Sequence, residues 1–188
     1  MKRLSLAVLL LALVPASQLL AQEHEHAEAG EHEHMQSNDA AVKSIAPLHD
    51  MVKGYLIASA EQMPEDLYGY KPNDEVRSFG QIIGHVANAL YMFCNSATGE
   101  GGSPGENFEE RTSKAGLVEA IKMGVDACDA AYTMGDMKDM EDMEFFGNPT
   151  TRLGVLTFNI AHNWEHYGNL VVYFRANGMV PPSSQGGM

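Results

Sequence analysis

Two histidines four residues apart could together hold one metal ion. His162 and His166 lie within a long amphipathic segment. In an α-helix, this spacing brings both side chains to nearly the same face, about 6 Å apart along the axis. Imidazole is a common ligand of divalent transition metals. The pair therefore predicts two ligands of a metal site, although pairs with this spacing also occur freely on helix surfaces.

A third histidine is predicted to face the same interior. His85 falls on an apolar stripe with Ile82, Val86 and Ala89. An ionisable side chain in such a position is costly unless it is paired, neutral with a hydrogen-bond partner, or bound to metal. For His85 alone, a hydrogen-bonded core histidine is the alternative. The three histidines together favour a metal site.

The chemistry of such a site follows from its ligands. Three neutral imidazoles leave the charge of the metal uncompensated and one coordination position open, as in catalytic zinc sites. A water there could ionise near neutral pH and act as nucleophile or base. We expect zinc, with nickel or ferrous iron as alternatives, because imidazole suits all three. The sequence assigns no catalytic acid or base.

A second motif overlaps the pair. Residues 162–166 read H-x-x-E-H, the inverted zinc-peptidase signature, in which Glu165 would be the general base. That class also needs a carboxylate ligand from downstream, and no Asp or Glu follows His166. We therefore expect Glu165 at the edge of the site or on the outer flank of its helix.

Four amphipathic patterns are predicted to carry these residues. They are residues 48–63, residues 78 up to the glycine-rich break at 99–105, residues 113–134 and residues 150–177. Pro47 is expected either to begin the regular part of the first helix or to kink it. Ser78 and Gln81 form a capping-box pattern, and Gly178 suits a helix end. No segment alternates convincingly with a period of two. The sequence therefore predicts an all-α four-helix bundle.

The N-terminal segment is predicted to direct export. Two basic residues precede an apolar run at 4–14, which is too short to span a bilayer and reads as a signal peptide. We place the cleavage after Ala21, with Ala16 as the alternative, and the mature protein in the periplasm or outside the cell. The predicted organisation is a signal peptide at 1–21, a disordered His/Glu-rich linker at 22–38, the bundle at 39–184 and a tail at 185–188. The linker is expected to be a solvated tether, with weak metal capture as the alternative.

Composition narrows the partners. The formal net charge is −13, which argues against nucleic acid and against anionic membrane surfaces. The expected partner is a small-molecule substrate, which the sequence does not identify. No membrane span is expected. The sequence leaves open whether the protein forms a homodimer.

Cys94 and Cys128 could form a disulfide in an oxidising compartment or be two small buried side chains.

Several other residues receive structural predictions. Gly168 is expected to permit close helix packing, Arg175 to form an ion pair near the end of its helix, and His49 to be exposed or to contact a metal ligand from outside. A set of methionines recurs at every third residue and is expected to pack or to lie in a loop, with binding of cuprous copper as the alternative. These are Met134, Met137, Met140 and Met143.

Two segments resemble one protein family. Residues 78–86, SFGQIIGHV, and residues 162–182 are similar to the DinB/YfiT-like superfamily of small four-helix metalloproteins, and the resemblance covers roughly residues 41–184. It implies a bundle whose metal is bound by one histidine of the second helix and two of the fourth, which are His85, His162 and His166. Many relatives are metal-dependent transferases or isomerases that use small thiols. Predicted export argues against a thiol here, because such pools are chiefly intracellular.

These observations favour a metal-dependent enzyme, of transferase or hydrolase type, that acts on a small molecule. The alternative is an exported protein that binds and buffers metal without catalysis.

Overall fold

Four helices carry most of the described residues. The computed structural model describes residues 41–101, 103–133 and 141–186. Helix α1 is described over residues 41–62, and the others are α2 (Phe79–Thr98), α3 (Lys114–Thr133) and α4 (Arg152–Ala176). The predicted four helices are thus confirmed. The predicted signal peptide and linker lie outside the described residues.

Local sequence signals set most helix ends. The Ser78 hydroxyl accepts a hydrogen bond from the Gln81 backbone N–H, and the Gln81 side chain accepts one from the Ser78 N–H, so the predicted capping box is present. Thr151 caps α4 by accepting from the Gly154 N–H at 3.2 Å. The left-handed Gly178, with φ 72°, follows the end of α4.

Helix α1 begins earlier than its apolar pattern indicated. The apolar pattern starts at residue 48, and Pro47 was expected either to begin the regular part of the helix or to lie within it as a kink. Residues 41–47 are also helical, so Pro47 lies inside the helix. Val42 is buried, so an apolar contact holds the additional turns.

Among the described residues, no helix combines the length and the apolarity needed to cross a bilayer.

A short β-hairpin corrects the all-α prediction. Strand β1 (Asp142–Phe145) pairs antiparallel with β2 (Asn148–Thr151), immediately before α4. Only Met143 and Phe145 of β1 face inward and alternate with exposed residues, a pattern too short to stand out in the sequence. Met143 packs against the core, whereas the other three methionines of the predicted set lie outside the described residues.

A covalent link joins two of the packed helices. Helix α2 lies against both α3 and α4, and Cys94 of α2 forms a disulfide with Cys128 of α3. The alternative of two free buried thiols is therefore excluded. Tyr55 of α1 stacks on Tyr167 of α4 with ring centroids 4.8 Å apart, which places α1 against the fourth helix.

Three structural predictions are wrong. His49 is 1% exposed, stacks on Tyr132 at 4.0 Å and lies 3.1 Å from an Asp129 oxygen, so it packs against α3 rather than facing solvent. Gly168 is exposed, and a Cβ there would meet no atom within 4 Å. Arg175 is exposed and has no ion pair within the described part of the chain. The apolar spacing correctly predicted the helices in which these three residues lie. It did not predict the neighbours that their side chains contact.

Candidate metal centre

The three predicted histidines come together between two helices. His85 projects from α2, while His162 and His166 project from consecutive turns of α4. The His162 Nε2 atom lies 3.2 Å from His85 Nε2 and 3.1 Å from His166 Nε2. One nitrogen from each ring lies within 4.8 Å of the other two. Three imidazole nitrogens therefore surround one point.

Hydrogen bonding alone cannot satisfy this arrangement. A ring nitrogen of a neutral imidazole carries either one proton or one lone pair. His162 Nε2 therefore makes at most one well-directed hydrogen bond, although two nitrogens lie at hydrogen-bond distance from it. A cation placed between the rings would accept all three lone pairs at once. The donor set thus fits a divalent ion that prefers imidazole ligands.

Burial keeps two of the rings neutral. Burial, with added repulsion from His85, lowers the pKa of His162 to about 4. Burial and repulsion from His162 and His85 lower the pKa of His166 to about 4 as well. Both rings are therefore uncharged at neutral pH, which is the form that binds metal. Their Nδ1 atoms are buried without a hydrogen-bond partner in the described structure.

A carboxylate orients the third ring. His85 Nδ1 lies 2.8 Å from Glu109 Oε1, and the second oxygen of Glu109 accepts from Arg77 Nε at 3.0 Å. Burial opposes ionisation of Glu109, but the hydrogen bonds from Arg77 and His85 outweigh it and hold the pKa of Glu109 below its usual value. With Nδ1–H donating to this carboxylate, the lone pair of a neutral His85 ring lies on Nε2, toward the other two histidines.

The approach of Glu109 depends on a glycine beside His85. Gly84 lies against the short 3₁₀ helix Phe108–Glu110, and a Cβ at Gly84 would be 2.4 Å from the Phe108 carbonyl oxygen. Only glycine permits this separation between α2 and the 3₁₀ backbone. The close-packing role predicted for Gly168 therefore belongs to Gly84.

Two different surfaces flank the histidines. On one side, His162 contacts the rings of Phe93 and Phe158. On the other, His166 lines an open cavity of about 450 Å³, together with residues of α4 and of the segment before α2. Its polar lining includes Glu75, Arg77, Glu165, Asn169 and Tyr173. Glu165 is exposed and lies beside the histidine cluster.

Glu109 and Arg77 were not among the predicted site residues. Both lie outside the long helices, in segments with no period that would predict their direction. The only available signal was chemical, because a metal-binding histidine usually donates its second N–H to a carboxylate or a carbonyl. That rule predicts that an acidic residue is present but does not say which one.

Comparison with known proteins identifies the family. Residues 48–170, more than half of the chain, match the family model of the DinB superfamily. The chain therefore belongs to the DinB superfamily, as the resemblance of its two segments indicated.

Individual relatives agree with this assignment. The chain is similar to YjoA of Bacillus subtilis strain 168, a protein described as uncharacterized, with 24% identity over 131 residues, covering 63% of this chain and 79% of YjoA. The crystal structure of that DinB-like protein covers 72% of this chain and 93% of its own, with a TM-score of 0.59. A DinB-like protein from Bacillus cereus shares 16% identity, covers 70% and 89% of the two chains, and has a TM-score of 0.60. At these identities, the two structures show a shared fold.

Replacement of Glu109 by alanine is expected to weaken metal binding by about 10- to 100-fold, because His85 loses the acceptor that orients it. Competition with a chromophoric chelator measures the affinity. The matched control is Glu110→Ala, since Glu110 belongs to the same 3₁₀ helix and bonds instead to Asn107. Equal affinities for the two variants would contradict an orienting role for Glu109.

Proposed function

We propose that this protein is an exported metal-dependent enzyme of the DinB superfamily that acts on a small molecule. His85, His162 and His166 are the proposed ligands, and zinc is the proposed metal, with nickel or iron as alternatives. The observation that carries the proposal is the convergence of three imidazole nitrogens within 4.8 Å of one another. The reaction we propose is of transferase or hydrolase type, and the coordination position that three ligands leave open would hold the substrate or a water.

The residues around the cluster support catalysis rather than storage. A bound divalent ion supplies Lewis-acid chemistry, which polarises an oxygen or acidifies a ligand. Glu109 and Arg77 hold His85 in one orientation. His166 opens onto the cavity of about 450 Å³, which has the size of a small-molecule site. Arg77 and Glu165 give that cavity groups of both charge signs that can orient a polar substrate.

Metal analysis of the full chain and of a His162→Ala variant tests the proposal. We expect one tightly bound divalent ion per parent chain and almost none in the variant, because two imidazoles without the third bind far more weakly. The Glu165→Gln variant is the control, since Glu165 is not among the grouped ligand candidates. It is expected to keep its metal. Unchanged metal content in His162→Ala would contradict the site assignment.

A deletion of residues 22–38 tests whether the histidine-rich linker supplies the metal-binding capacity that the buffering alternative requires. These residues contain four histidines and lie outside the described structure. If the three-histidine site is the functional centre, the shortened protein retains the tightly bound ion. Loss of most of the bound metal on deletion would favour the buffering alternative.

A further inference from the structure

A cluster of phenylalanines adjoins the proposed metal ligands. Its members, here called the aromatic cluster, are Phe93 of α2, Phe145 of β1, Phe146 of the hairpin turn and Phe158 of α4. The ring centroids of neighbouring members lie 4.2–6.1 Å apart. The His162 ring lies 5.2 Å from that of Phe93 and 6.4 Å from that of Phe158. The cluster and the histidines therefore form one contiguous group of rings.

Two rings of the aromatic cluster are exposed to solvent. Phe146 is 62% exposed and Phe158 is 44% exposed, whereas Phe93 is buried. Exposed rings contribute little of the stabilisation that burial of an aromatic side chain provides. The cluster is thus only partly covered by the protein itself.

The backbone conformation of Phe146 is unfavourable for a phenylalanine. Phe145 and Asn148 form the last pair of the hairpin, so Phe146 and Gly147 make up a two-residue turn. Both have positive φ, 51° and 74°, which is the pattern of a type I′ turn. Such turns prefer asparagine at the first position, and a bulky residue there is strained. The conformation of the turn therefore does not explain the phenylalanine at position 146.

We propose that the aromatic cluster binds an aromatic group of the substrate whose polar end is held at the three-histidine site. This inference rests on the proposed function. Phe158 and His162 are four residues apart on α4, and their ring centroids lie 6.4 Å apart, so a ring beside Phe158 lies close to a polar group held at the three-histidine site. A planar ring can add to the edge-to-face contacts among Phe93, Phe146 and Phe158. The strained Phe146 is explained as a contact for that ring.

Two hydroxamates provide the probes. Both bind zinc through the same group, but benzohydroxamate carries a phenyl ring where acetohydroxamate carries a methyl group. The full-length protein is loaded with one equivalent of zinc and titrated calorimetrically with each. We expect the preference for benzohydroxamate, expressed as the ratio of the two Kd values, to fall about tenfold in Phe146→Asn, because the ring loses its apolar contact. Phe158→Ala is expected to lower the ratio as well.

The controls separate recognition from folding. Leu48→Asn removes an exposed apolar side chain from α1 and is expected to leave the ratio unchanged. Phe146→Asn creates an Asn-Gly turn and is expected not to lower Tm. If Phe146→Asn lowers Tm strongly while neither aromatic variant changes the ratio, Phe146 is structural and the inference is wrong.

The two levels of the proposal can fail separately. Zinc and acetohydroxamate binding with an unchanged ratio in both variants would overturn the aromatic subsite alone. Failure of the parent protein to bind zinc at the histidines would overturn the proposed function and, with it, this inference.

Discussion

Replacement of Gly84 by alanine is expected to lower the free energy of unfolding by about 2–3 kcal/mol. The new Cβ would lie 2.4 Å from the Phe108 carbonyl oxygen and 2.7 Å from the Glu109 nitrogen, and these are backbone atoms that cannot rotate away. Helix α2 and the 3₁₀ helix must therefore separate. Because that separation moves Glu109 from His85, metal affinity is expected to fall by tenfold or more. Urea denaturation and chelator competition measure the two effects.

Gly168→Ala is the matched control, since Gly168 is an exposed helical glycine with no atom within 4 Å of an added Cβ. It is expected to raise the free energy of unfolding by about 0.5–1 kcal/mol, because alanine is the better helix former. Similar effects of the two substitutions would show that the close approach at Gly84 does not constrain the protein.

Removal of the disulfide is expected to have a comparable or larger effect on stability. Cys94 and Cys128 close a loop with a sequence separation of 34. A cross-link of that length restricts the unfolded chain by about 3 to 4 kcal/mol in the chain-entropy account. The double variant Cys94→Ala/Cys128→Ala is therefore expected to unfold at lower denaturant concentration than the oxidised parent.

Reducing agent supplies the control for this prediction. It should destabilise the parent and leave the double variant unchanged, because the variant has no cysteine left. Metal binding measured at a temperature where the variant remains folded should persist, since neither cysteine is among the proposed ligands. A stability difference well below 1 kcal/mol between the oxidised parent and the variant would contradict a structural role for the bond.

Local patterns account for the success of the helix predictions. The capping box of Ser78 and Gln81 forms hydrogen bonds with backbone N–H groups of the same helical turn. It therefore marks the start of a helix independently of the rest of the chain. Apolar periodicity likewise indicates which face of each helix is buried. The hairpin was missed because β1 and β2 have four residues each and offer too few alternations to separate a strand from a loop.

The histidine cluster was predictable because all three ligand candidates lie on regular helices. Four residues separate His162 from His166, and helical geometry places them together wherever the helix lies. His85 belongs to an apolar stripe, so its inward direction follows from burial. The compartment, the signal peptide and the linker concern residues outside the described structure and remain predictions.

The amino-acid sequence by itself determined the four helices, most of their ends and the faces that carry the histidines, because these depend on contacts within a few residues. Only the tertiary structure decided that Glu109 contacts His85, that Phe93 and Phe158 lie against His162, and that Cys94 meets Cys128. These pairs are far apart in the chain or lie on irregular segments. Their meeting depends on how the elements pack. For Glu109, the missing side chain of Gly84 permits the close approach of the 3₁₀ helix to α2.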